Sequence, residues 1–142
     1  MQAMPTPTAR TPVLVVTPDP EDLEELRAML PSSDWNLYSA FSTSEARDML
    51  KHYAYPIVIA EAGSTGASWK SMLGYLSSQL QLPSPKLIVA SACADDDLWS
   101  DVLNCGGFNV LAKPYDPREV NWVLNQARAE LDLVLETGAI AR

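Results

Sequence analysis

Five short apolar runs, each followed within a few residues by a helix-start signal, limit what this chain can fold into more than any other feature. Val13-Leu14-Val15-Val16 is rich in β-branched residues and unbroken by polar ones, as a strand buried on both faces of a parallel sheet must be. Asp19-Pro20-Glu21-Asp22 then supplies a capping residue, a proline for the first helical position and acids for the first turn. Leu23, Leu26, Met29 and Leu30 recur at helical spacing up to about Pro31. Trp35 to Ala40 reads as a second strand, and Ser42-Thr43-Ser44-Glu45 is a capping box for a helix through Ala46, Met49 and Leu50. Pro56 to Glu61 is a third strand, followed by the small polar loop Gly63-Ser64-Thr65-Gly66 and a helix carrying Trp69, Met72, Leu73, Leu76 and Leu80. Leu87 to Ala90 and Phe108 to Ala112 are the fourth and fifth strands. Between them Asp95 to Asn104 is a helix closed by Gly106-Gly107. Asp116-Pro117-Arg118-Glu119 repeats the cap-proline-acid start, and Val120, Val123, Leu124, Ala127 and Leu131 form the inner stripe of a last helix to about Glu136.

Strict strand-helix alternation implies an α/β fold, a parallel sheet with helices on both faces. A length of 142 residues suffices for one sizeable core and not for two ordinary domains. The expected organisation is a flexible leader over residues 1–11, a folded unit over 12–136 and a flexible tail over 137–142. Met1 to Arg10 has no apolar core of a secretory signal, and no apolar run approaches the ~18 residues of a membrane span, so a cytoplasmic protein without membrane contact is expected. A formal charge of −8 with no basic stripe argues against nucleic acid as a partner. Cys93 and Cys105 are too few for a disulfide framework, and with His52 as the single histidine they make no metal-ligand spacing.

In parallel sheets of this kind, ligands gather at the carboxyl ends of the strands, which singles out Thr17, Glu61, Ser91 and Lys113. Val15-Val16 before an acid and proline, Pro56 to Glu61, Gly106-Gly107 and above all Lys113-Pro114, in this order, resemble the receiver domain of bacterial response regulators over about residues 12 to 131. The resemblance implies a doubly wound (βα)5 sheet of order 2-1-3-4-5 and a role in two-component phosphorelay signalling. It places Glu61 at the phosphoacceptor position, Ser91 at the hydroxyl position and Lys113 at the lysine position, and it implies a cis bond between Lys113 and Pro114.

The departures from that pattern bear on chemistry. Thr17 and Pro18 stand where the family has an acidic pair, and Glu61 stands for its aspartate. Phosphoryl transfer to a carboxylate needs magnesium held by oxygen ligands, one or two of them carboxylates. Thr17 offers a hydroxyl, Pro18 nothing, and Asp19 is placed to cap the first helix, so magnesium binding is expected to be weak or absent, with no other cofactor. Glu61 is one methylene longer than aspartate and carries one charge where a phosphoryl group carries about −1.5 to −2. It is either a partial phosphate mimic paired with Lys113 or a solvated carboxylate at a strand end.

The reading that follows is a pseudo-receiver that acts through a signalling partner, a histidine kinase or a downstream target, and not by catalysis. Trp99 and Trp122 are candidates for the partner surface or for a homodimer contact, and equally for rim residues covering core. The rival is a flavodoxin-like enzyme or cofactor-binding domain. It would need a phosphate-cradling loop after strand one, whereas Thr17-Pro18-Asp19-Pro20 is stiff and poor in backbone donors.

Overall fold

A computed structural model describes residues 10–62, 68–79 and 84–141. Its strands are β1 (Thr11–Val16), β2 (Trp35–Ala40), β3 (Ile57–Glu61), β4 (Lys86–Ser91) and β5 (Asn109–Ala112). Its helices are α1 (Pro20–Met29), α2 (Thr43–His52), α3 (Ser68–Ser78), α4 (Asp96–Asn104) and α5 (Pro117–Ala141). All strand pairs are parallel and the sheet order is β2-β1-β3-β4-β5. The reversal of order at β1 and β3 opens a crevice at their carboxyl ends, where a doubly wound sheet binds its ligands. The glycine loop 63–66, Leu80 and most of the leader lie outside the described residues.

The apolar runs become strands because alternate residues enter two separate cores. Val13, Val15, Ile57, Ile59, Ile88 and Leu111 face the layer formed by α1 and α5, with Leu23, Leu26, Val120, Leu124 and Leu131. Leu14, Val16, Val58, Ala60, Leu87 and Val89 face the layer formed by α2, α3 and α4, with Ala46, Trp69, Met72, Leu76 and Val102. A side chain of this size contributes about 1.5–3 kcal/mol when fully buried, which is why the central strands tolerate no polar interruption.

The helix starts follow the capping signals. Asp19 accepts from the Glu21 N–H at 2.9 Å, Asp95 from Leu98 at 2.9 Å and Asp116 from Arg118 at 2.9 Å. Ser42 accepts from the Glu45 N–H at 3.1 Å while the Glu45 carboxylate accepts from the Phe41 N–H at 2.7 Å, a reciprocal cap shifted by one residue at its second bond. Gly106, at φ +100, ends α4 in a left-handed turn in which Gly107 N–H donates to Val102 O at 2.8 Å. Several boundaries differ from the sequence reading: β3 and β5 begin one residue later, at Ile57 and Asn109, β4 runs from Lys86 to Ser91, and α1 ends at Met29. β1 begins at Thr11, whose N–H donates to Asp34 O, and α5 continues past Glu136 to Ala141. No helix among the described residues is long and apolar enough to cross a membrane.

Candidate functional site

The carboxyl ends of β1, β3 and β5 bring Thr17, Glu61 and Lys113 together, with the first turn of α1 as the fourth wall. Lys113 Nζ lies 2.8 Å from Asp22 Oδ2 and 3.7 Å from Glu61 Oε2. The expected Glu61–Lys113 pair is present, but it is the longer of the two contacts. Thr17, only 2% exposed, donates its hydroxyl to the same Asp22 Oδ2 at 2.8 Å and accepts the Asp19 N–H at 3.2 Å. Asp19 caps α1, as its place before Pro20 suggests, and Pro18 is exposed.

Asp22 is the residue that strand-end reasoning misses. An acid in the first turn of a helix is accounted for by the helix dipole alone, so Asp22 carries no separate signal there. Its register does: it precedes Leu26 by four residues and Met29 by seven, which sets it on the inward face. It is 3% exposed, and a carboxylate so buried needs partners, which Thr17 and Lys113 supply.

Ser91 is buried at the end of β4. Its carbonyl accepts from Lys113 N–H at 2.9 Å, whereas its hydroxyl oxygen accepts from Cys93 N–H at 3.0 Å, a local turn within its own loop. The Lys113-Pro114 bond is cis. The following residue, Tyr115, turns into the α1–α5 layer, with Lys113 Nζ 5.9 Å from its ring centre.

Electrostatics follow from this enclosure. Burial lowers the affinity of Lys113 for its proton, the hydrogen bond and charge of Asp22 raise it, Glu61 and Asp19 add to the rise, and the balance is upward from 10.5. Burial, then the charges of Asp22, Glu61 and Glu25, push the Tyr115 hydroxyl far above the ordinary tyrosine value. Two carboxylate oxygens of the pocket are committed to protein donors, Asp22 Oδ2 to Thr17 and Lys113 and Asp19 Oδ1 to a backbone N–H. Among the described residues no three His, Cys, Asp or Glu side chains converge as metal ligands.

Away from the pocket, Trp99 on α4 is 49% exposed and Trp122 on α5 is 60% exposed, so neither serves chiefly to cover core. Trp99 lines a groove of about 390 Å³ with Asp95, Asp96, Val110, Ala112 and Glu119, between α4, β5 and the start of α5. Cys93, Cys105 and His52 are exposed; the thiols are free and His52 Nδ1 lies 2.9 Å from Asp48 O on its own helix.

No protein-family model matches the chain. No curated protein matches it either. Solved structures do. The chemotaxis response regulator CheY4 of Vibrio cholerae is similar with a TM-score of 0.73 at 13% identity, over 84% of this chain and 99% of that one. The signal receiver domain of an HD domain-containing protein from Pseudomonas fluorescens Pf-5 gives 0.73 at 24% identity, over 87% and 98%. NtrX from Brucella abortus, in complex with ADP, gives 0.79 at 16% identity over 92% of this chain and 29% of that longer one. The chain has the fold of response-regulator receiver domains, and its strand order is the one the sequence resemblance implied.

Proposed function

We propose that this protein is a receiver-type signalling domain that works through protein–protein contact and does not accept a phosphoryl group. The observation that carries the reading is the internal neutralisation of Lys113, whose ammonium is held by Asp22 at 2.8 Å with Glu61 at 3.7 Å. In the receiver family that lysine stands beside a phospho-accepting aspartate and a magnesium ion held by an acidic pair. Here Glu61 fills the acceptor position, Thr17 and Pro18 fill the metal-ligand positions, and one oxygen each of Asp22 and Asp19 is committed to protein donors. Magnesium binding is accordingly weak and no other cofactor is required. The partner is a histidine kinase or a downstream signalling protein in the cytoplasm, and the exposed Trp99 and Trp122 mark the surface it meets, or the surface at which two copies pair.

Incubation with acetyl phosphate and magnesium, followed by intact-mass measurement, tests the proposal. The expected result is an unchanged mass; a magnesium-dependent gain of one phosphoryl group overturns it.

A further inference from the structure

Lys113 is tied to a helix 91 residues away in sequence as well as to the neighbouring strand β3. Its backbone N–H is bonded to Ser91 O at 2.9 Å, and that of Ala112 to the Glu119 carboxylate at 3.3 Å. The β5–α5 connection is therefore anchored to β4, to its own helix and, through the ammonium, to the first turn of α1. At the other end of α1, Asn121 on α5 donates to Met29 O at 3.0 Å. Helix α1 is thus held to the β5–α5 side at both ends, by a neutral bond at one and a charged one at the other.

We infer that Asp22 is a built-in counter-ion that latches α1 to the β5–α5 connection: the first turn of α1, and not Glu61, is what fixes Lys113 in this site. Two features of the geometry separate the roles of the carboxylates. Loss of Glu61 leaves Lys113 bonded to Asp22. Loss of the Asp22 charge leaves Lys113 with Glu61, at 3.7 Å, as its nearest carboxylate. The chain of bonds from Asp19 N–H through Thr17 to Asp22 and Lys113 links the end of β1, the cap of α1 and the end of β5. The inference rests on reading this pocket as a signalling site, but its test needs no phosphoryl donor.

Two double-mutant cycles in the full chain, read by denaturant unfolding, provide that test: Asp22→Asn with Lys113→Met, and Glu61→Gln with Lys113→Met. The unfolding constant should show a coupling of about tenfold or more for the first and clearly less for the second. Amide exchange should quicken in the first turn of α1 and at Lys113, Tyr115 and Asp116 together in Asp22→Asn, and at neither in Glu61→Gln. Additive effects in the first cycle, a larger coupling to Glu61, or exchange that quickens on one side alone overturns the latch. If Asp22→Asn does not fold, recovery of folding on adding Lys113→Met supports the latch, and failure to recover counts against it. Phosphoryl uptake in the mass measurement would overturn the proposed function and leave the latch standing; an additive first cycle would do the reverse.

Discussion

Two protons are held at the pocket, that of Lys113, against its burial, by the hydrogen bond and charge of Asp22 and that of Tyr115 by burial. Lys113 and Tyr115 both hold their protons more tightly in the folded chain than in an unfolded one. A proton held more tightly when folded stabilises the fold fully below the unfolded pKa, and that stabilisation is lost as pH rises past it toward the folded value. With ordinary values of 10.0 for tyrosine and 10.5 for lysine, stability should hold through neutral pH and fall above about pH 10. Tyr115→Phe removes one of the two groups. Urea unfolding from about pH 9 to about pH 11 should then show a shallower decline than in the parent, and an identical slope would mean that Tyr115 is not enclosed by these carboxylates. At this scale the strand-end rule points to Thr17, Glu61 and Lys113, which the structure brings together, and to Ser91, whose hydroxyl serves its own turn. Asp22 escaped it because a first-turn acid already has an explanation, and Tyr115 because nothing in Lys-Pro-Tyr says which way the ring turns.

The turn between α4 and β5 concentrates the local constraints of an element boundary in two glycines. Gly106 has φ +100, where a Cβ costs roughly 1–2 kcal/mol. Gly107 is limited by space: a Cβ there would stand 2.5 Å from Val102 Cγ1 and 3.1 Å from Val102 O. Val102 is fully buried and anchors α4 to its core, so it has no room to yield. Gly107→Ala should therefore cost about 1–3 kcal/mol by overpacking, and Gly106→Ala about 1–2 kcal/mol by backbone strain. A shift in the denaturation midpoint of less than that expected from about 0.5 kcal/mol in either variant would show that the turn relaxes freely. Caps and apolar periodicity made the elements legible because each acts within a few residues. The ends of β1 and α5 were not, since Thr11 joins its strand through a bond to Asp34, and α5 runs on through Gly138, where a glycine reads as a stop.

For the whole molecule, the net charge of −8 and the two exposed tryptophans act in opposite directions on self-association. Two copies at neutral pH repel one another over a distance set by ionic strength, while burying Trp99 and Trp122 across an interface releases free energy in proportion to apolar area. Around the Trp99 groove the charged neighbours are acids, Asp95, Asp96 and Glu119, so a contact of like faces brings carboxylates toward carboxylates. An interface built this way is held by apolar burial against charge, and added salt should strengthen it. Raising sodium chloride from about 0.1 M to about 1 M shortens the screening length from about 10 Å to about 3 Å and removes most of the repulsion between exposed groups. Sedimentation velocity across that range should show a dimer whose dissociation constant falls severalfold as salt rises. Trp122→Ala should shift the protein back to monomer at both ends. Association that weakens with salt would mean that opposite charges join the copies, so the tryptophans would not be the contact. A monomer at every concentration and salt would show that Trp99 and Trp122 do not join two copies of this chain.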